Sequence, residues 1–167
     1  EEITALYEAL DLAQAAREVY ELVWSEFCDW YLEAAKPALK AGNAHTLRTL
    51  EEVLAVLLKL LHPMMPFLTS ELYQALTGKE ELALEAWPEP GERDEEAERA
   101  FEALRQAVTA VRALKAEAGL PPAQEVRVYL EGETAPVGEN LEVFRFLARA
   151  DLLPERPAKA LVKAQPK

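Results

Sequence analysis

Two prolines set three positions apart interrupt a long apolar stretch of this 167-residue sequence. Pro63 and Pro66 lack a backbone N–H donor, and proline disfavours a helical conformation of the residue before it, so a helix must end near His62. A second helix can begin directly afterwards, because proline suits a first helical turn. The corner at residues 63–68 is apolar, and we expect it to be buried. The sequence thus predicts two helices joined by a rigid, buried elbow.

Apolar residues recur at helical spacing on both sides of this elbow. Residues 12–34 predict a long amphipathic helix that ends before Pro37. Residues 44–62 predict a second helix, with Asn43 as its N-cap, that becomes apolar on nearly all sides and should lie at the centre of a bundle. The shorter helix after the elbow should end at Gly78, where glycine favours a C-terminal cap.

The C-terminal half combines helices with short strands. Residues 94–118 and 139–149 predict helices, whereas residues 126–130 and 160–162 predict strands. Trp87, in the connection before them, should fold back as a hydrophobic plug. The predicted fold class is therefore mainly α: an antiparallel helical bundle with a small α/β appendage at the C-terminal end.

The composition agrees with a compact domain plus an appendage. We divide the chain into a helical-bundle part (1–78), a connector (79–93) and a long helix with a small α/β subdomain (94–167). The single Cys28 cannot form an internal disulfide and is typical of a reducing compartment. No apolar run is long enough to predict a membrane span, and no signal peptide is visible, so we expect a cytoplasmic protein. A net charge of −12 argues against non-specific nucleic-acid binding but not against a local basic patch.

Three segments together resemble one known family. Residues 61–72 resemble the LLHPFMPFITEELW elbow, and residues 24–37 resemble the W-x-x-FCDWYLE-x-x-K helix. Residues 111–117, followed by two prolines, resemble the IR-x-LR-x-E segment. These motifs, in this order, belong to the anticodon-binding helical domain of class I aminoacyl-tRNA synthetases specific for valine, isoleucine and leucine. The FCDWYLE form is most similar to the valine-specific members, and the resemblance covers most of residues 4–150.

The resemblance implies a tRNA partner, bound at its anticodon stem-loop by an enzyme that charges tRNA with valine. The chain has no HIGH-like or KMSKS-like signature and no glycine-rich phosphate loop, so we expect it to be non-catalytic. ATP and Mg²⁺ would belong to the catalytic domain of a longer enzyme. His45 and His62 lack metal-ligand spacing, and we predict no metal or cofactor here.

Elements that usually open and close the family's domain, such as N-x-L-W-N-A, D-R-W-I-L and a C-terminal coiled coil, are not found. We therefore expect a fragment with an apolar groove that self-association would fill. A rival hypothesis is an acidic helical module that binds a protein partner without RNA. The net charge favours this rival, whereas the three ordered motifs favour RNA binding.

Eight residues are candidates for RNA contact: Trp30, Tyr31, Lys36, Lys40, His45, Arg48, Arg105 and Arg112. The resemblance places the two aromatic side chains near the anticodon end, where stacking on unpaired bases is one reading and core packing the other. The basic group between the two long helices suits phosphate contacts, but it could equally complement a helix dipole or be solvated. The two arginines could instead cover the edge of the core. We expect Trp24 and Phe27 to pack in the core.

Overall fold

The computed structural model describes residues 1–131 and 134–156. It is mostly helical with two short strands, which confirms the predicted mainly-α fold with a small α/β appendage. The chain divides into two compact units, one from Glu1 to Glu92 and one that begins at Arg93. The three-part division at residues 78 and 93 remains a prediction.

The first unit is built from helices that follow one another with short connections. They are α1 (Glu2–Glu8), α2 (Leu12–Glu21), a π-helix (Leu22–Leu32), α3 (Glu33–Lys40), α4 (Ala44–Leu61), α5 (Pro66–Thr77) and a 3-10 turn (Leu82–Leu84). The residues at the junctions of α2, the π-helix and α3 all have helical backbone angles, so these three elements form one long helical rod. A short turn then reverses the chain, and α4 packs beside α3.

The prediction that the first long helix ends before Pro37 was wrong. Pro37 lies inside α3 and is buried. Its ring fixes φ near a helical value, and only one N–H donor is lost. In a regular α-helix that donor would bond to the carbonyl of Glu33, which is the residue where the winding changes from π to α. The missing hydrogen bond therefore falls where the backbone hydrogen-bond pattern already changes from π to α.

The ends of α4 and α5 follow the sequence predictions. The Asn43 side chain accepts hydrogen bonds from the backbone N–H groups of His45 and Thr46, at 3.0 and 3.1 Å. Gly78 ends α5 in the left-handed conformation, with φ of 76°. Both signals are local, because the cap uses side chains and backbone within three residues of the helix end.

The elbow forms as predicted, but its apolar corner is not buried. Phe67 is 91% exposed, and Met65 and Leu68 also face solvent. Thr69 and Tyr73, one turn apart on α5, are buried instead. The rotation of α5 about its own axis therefore places a threonine and a tyrosine against the rest of the unit and turns the first apolar residues outward.

A histidine at the end of a helix is expected to cap the last carbonyls, but His62 instead joins the two helices of the elbow. Its Nδ1 lies 2.8 Å from the Thr69 hydroxyl oxygen. The Thr69 hydroxyl oxygen also lies 2.8 Å from the Met65 carbonyl oxygen. The contact fixes the start of α5 against the end of α4.

One buried cluster of this unit lies between α4, α5 and the 3-10 turn. Leu58, Tyr73 and Leu82 are buried together, with Ala55 and Leu76 packed against them. α4 was predicted to be the central helix of the bundle; Leu50, Leu57 and Leu58 are buried, but part of its apolar surface is exposed, namely Leu47, Leu54 and Val56. Trp87 does fold back: its indole N–H donates to Thr4 Oγ1 at 3.0 Å, and its ring meets that of Tyr7 edge-on.

The second unit contains α6 (Glu95–Glu117), β1 (Val126–Val128), α7 (Ala135–Glu139), α8 (Leu141–Ala148) and β2 (Ala150–Leu152). β1 and β2 pair in parallel, with Val126 opposite Ala150 and Val128 opposite Leu152. The core joins α6 to α8, and its buried members include Leu104, Val108, Val111, Phe144 and Leu147. The strand predicted at residues 160–162 lies outside the described residues.

Candidate nucleic-acid interface

The turn between α3 and α4 is the centre of an acid-free stretch in an acidic chain. Residues 34–50 contain no Asp or Glu, although the net charge of the whole chain is −12. Gly42 adopts a left-handed conformation with φ of 78°, and the Asn43 cap starts α4 directly afterwards. Because α3 and α4 are neighbours joined by a short turn, the end of one and the start of the other lie at the same end of the pair.

Four predicted basic residues are brought together at this end. Lys36 and Lys40 are one helical turn apart on α3, and His45 and Arg48 are three positions apart at the start of α4. Lys36 bonds to Glu33, whereas Lys40, His45 and Arg48 are exposed. Arg48 makes no ion pair within the part of the chain that the structure describes. This end of the helix pair therefore presents cations that can contact phosphate groups.

The helix dipoles allow both readings of this basic group. Lys36 and Lys40 lie in the last turns of α3, where a cation complements the negative end of the dipole. Arg48 lies near the positive end of α4, where a cation has no such role and an anion would be favoured. The dipole thus explains the lysines as structural residues but does not explain Arg48.

The two predicted aromatic residues lie on different sides of the π-helix, because adjacent residues of a helix point in different directions. Tyr31 is half-buried and packs against Phe27, with ring centroids 6.1 Å apart. Burial raises the pKa of the Tyr31 phenol. Trp30 is also half-buried. The packing of Tyr31 against Phe27 agrees with the core-packing reading of this residue.

Trp24 was expected in the core, and this was wrong: it is 56% exposed. Its ring stacks on that of Tyr20, with centroids 6.3 Å apart and planes inclined by 6°. Tyr20, itself 61% exposed, was not among the candidates. The spacing of four residues on a helix was the signal that could have identified this exposed aromatic pair.

Arg105 and Arg112 lie in the second unit and both have partners within it. Arg105 is half-buried, with its guanidinium 3.8 Å from the carboxylate of Glu102. Arg112 donates to the carbonyl of Leu147 at 3.0 Å. These contacts agree with the structural reading of the two arginines, and their contact with RNA stays a prediction.

The comparison with known proteins supplies the class of this domain. The family described as the anticodon-binding domain of tRNA ligases matches residues 1–130, and the chain belongs to that family. In one strain of Thermus thermophilus, a valine–tRNA ligase is 98% identical over 167 residues, which is 100% of this chain and 19% of that protein. The valine–tRNA ligase of Deinococcus radiodurans is 45% identical over 168 residues, or 99% of this chain and 18% of that protein.

A more distant relative is the valine–tRNA ligase of Thermotoga maritima, which is 43% identical over 145 residues, covering 84% of this chain and 17% of that protein. The chain thus spans about a fifth of the length of the curated relatives it matches, such as the 19% in Thermus. Within the described residues, none of the helices has the length and apolar character needed to cross a membrane.

Proposed function

We propose that the chain binds the anticodon stem-loop of a tRNA as part of a valine–tRNA ligase. The observation that carries this proposal is the acid-free basic end of α3 and α4 in a member of an anticodon-binding family. Phosphates of an RNA loop are contacted by cations, and this end of the helix pair presents the exposed Arg48, which makes no ion pair within the described residues.

We assign different roles in RNA binding to the basic and the aromatic residues. Lys36, Lys40, His45 and Arg48 contact phosphates and fix the position of the loop. Trp30 stacks on an unpaired base, and Tyr31 supports the π-helix from its core side. In the proposed complex, Arg105 and Arg112 of the second unit add phosphate contacts. The packing of the Tyr31 ring against that of Phe27 supports the supporting role proposed for Tyr31.

In the longer enzyme, this domain holds the anticodon while the acceptor end of the tRNA reaches a separate catalytic domain. That domain uses ATP and Mg²⁺ to attach valine, and the enzyme acts in the cytoplasm. The matches to valine–tRNA ligases from three genera support this placement. Specificity for the valine tRNA then comes from bases of its unpaired anticodon loop.

A filter-binding titration of this chain with valine tRNA and a non-cognate tRNA tests the RNA proposal. Cognate preference is expected, with affinity that falls as salt rises. The Lys40→Ala/Arg48→Ala variant should bind about tenfold more weakly and reduce the salt slope by about 1.4, because about 0.7 is lost per phosphate contact to a single strand.

A matched control removes two other exposed cations of the first unit, in the variant Arg17→Ala/Lys79→Ala. This control also removes two positive charges but none from the proposed interface. Its affinity should therefore stay within about twofold of that of the parent chain. Equal losses in both double variants would show that only overall charge matters. No binding of either tRNA at low salt would remove the proposal for this chain.

We also propose that the isolated chain self-associates through exposed apolar residues of the first unit. Tyr20, Trp24, Leu47 and Leu54 support this, since a set of large apolar side chains at the surface favours association. Light scattering after size-exclusion chromatography should show a mass that rises with concentration and falls in a Trp24→Lys variant. A constant monomer mass over the range would contradict it.

A further inference from the structure

The first unit contains a groove that the RNA proposal does not use. Its cavity has a volume of about 390 Å³ and lies between α1, the end of α2, the start of the π-helix, the C-terminal half of α4 and the segment from Pro88 to Pro90. Ile3, Leu22, Val56 and Leu60 supply an apolar floor. This volume falls within the range of sites that accept small ligands or a few side chains of a partner.

The rim of this groove is acidic. Six carboxyl groups line it, those of Glu1, Glu2, Glu18, Glu21, Glu26 and Glu89, and no Lys, Arg or His among the described residues does so. Glu18 accepts a hydrogen bond from the neutral side chain of Gln14, which leaves its charge in place. The groove therefore combines an apolar floor with a strongly negative edge.

We infer that this groove docks a cationic amphipathic segment of another polypeptide. Its apolar side chains would lie on the floor, and its Lys or Arg side chains would face the glutamates of the rim. Helices that recognise grooves do so with apolar residues on one face, and complementary charge around the contact selects the partner and its orientation. A nucleic acid does not fit this edge, because its phosphates would meet carboxylates. The site is distinct from the basic end of α3 and α4.

A fluorescein-labelled peptide of leucine and lysine tests the inference by fluorescence anisotropy with the whole chain. The peptide has about 15 residues, with leucines spaced to form one helical face. Two further peptides serve as controls: one of the same composition with the leucines scattered, and one with glutamate in place of lysine. At about 50 mM salt, only the amphipathic cationic peptide should bind well, at least tenfold more tightly than either control.

Variants of the chain then locate the contact. Glu18→Lys/Glu21→Lys reverses two rim charges and should weaken binding at least tenfold. Glu51→Lys/Glu71→Lys makes the same change in net charge at exposed positions outside the groove and should weaken it less than twofold. Val56→Ser removes part of the floor at unchanged charge and should weaken binding at least threefold. Circular dichroism verifies that each variant is folded.

Three results would overturn the inference: equal weakening by the two charge-reversal variants, equal binding of the scattered peptide, or no effect of Val56→Ser. If the rim variant does not fold, the Val56→Ser result decides. Filter binding of tRNA is measured separately on Lys40 and Arg48 variants. Failure of the peptide to bind therefore leaves the RNA proposal intact, and the reverse also holds.

Discussion

Replacing the buried Lys115 tests how much one charged side chain contributes to the stability of the second unit. It is only 3% exposed, and its ammonium nitrogen lies 2.6 Å from the carbonyl oxygen of Gln124, 2.8 Å from that of Ala148 and 3.0 Å from that of Arg149. A fourth carbonyl, of Pro122, lies at 3.3 Å. Lys115 therefore ties α6 to the loop that follows it and to the end of α8.

The Lys115→Met variant keeps the approximate volume and removes the donors. An ammonium has three N–H donors, and each charge-assisted hydrogen bond contributes about 1.5–3 kcal/mol. Against this stands a desolvation cost of several kcal/mol for the buried charge, which methionine does not carry. We expect a net loss of about 2–4 kcal/mol in the free energy of unfolding of the second unit, since its carbonyls are left without a donor.

Urea unfolding can assign this loss to the correct unit. All three tryptophans, Trp24, Trp30 and Trp87, lie in the first unit, so tryptophan fluorescence follows that unit and circular dichroism follows both. Lys115→Met should lower only the dichroism transition, by about 1–2 M urea. The control Arg99→Met removes an exposed cation from α6 and should change stability by less than about 0.5 kcal/mol. A shift of the fluorescence transition, or a loss under about 1 kcal/mol, would refute this reasoning.

The pH dependence of Lys115 supplies a second measurement of the same contact. Burial, followed by the nearby charges of Arg112 and Arg149, lowers the pKa of its ammonium below the usual 10.5. The unfolded chain then binds more protons than the folded chain between the lowered pKa and 10.5, so stability rises with pH in that window. The advantage of the parent chain over Lys115→Met should therefore grow as pH rises towards 10.5.

Three further changes probe the first unit. Asn43→Ala removes the cap of α4 and should lower its unfolding free energy by about 1 kcal/mol in a urea titration followed by tryptophan fluorescence; an unchanged midpoint would contradict the capping role. Gly78→Ala forces a left-handed alanine and should cost about 1–2 kcal/mol, compared with no loss for the exposed control Gly91→Ala. The Lys79 hydrogen bond lowers the pKa of Glu85 below 4.5, so the advantage over Glu85→Gln should be present above pH 4.5 and vanish as pH falls through the lowered pKa. A constant difference down to acidic pH would disprove that ion pair.

Local signals in the sequence determined most helix ends correctly. Asn43, Gly78 and Asp94 act within a few residues of the ends they mark, and each lies at the predicted boundary. The basic end of α3 and α4 was also predictable, because a short turn brings neighbouring residues together whatever the rest of the unit does. What the sequence could predict is thus what short-range contacts determine.

Tertiary contacts decided the features that were missed. Lys115 was not among the candidate residues, because nothing local in the sequence indicates that carbonyls of the following loop and of the end of α8 surround its ammonium group. Phe67 is more apolar than Thr69, but Thr69 and Tyr73 are the α5 residues that face inward, and Thr69 also bonds to His62. β2 has three residues, too few for an alternating pattern to be visible.

The π-helix determines the angular position of everything that follows it on the rod. Each residue of an α-helix advances the chain by about 100°, and a π-helix uses more residues for each turn. One residue more or fewer between Leu22 and Leu32 would therefore rotate Lys36 and Lys40 about the rod axis without changing either side chain. Deleting Ser25 should accordingly weaken tRNA binding while the helix content measured by circular dichroism is retained. In this rod, a change in the length of the π-helix would thus alter the direction in which Lys36 and Lys40 face.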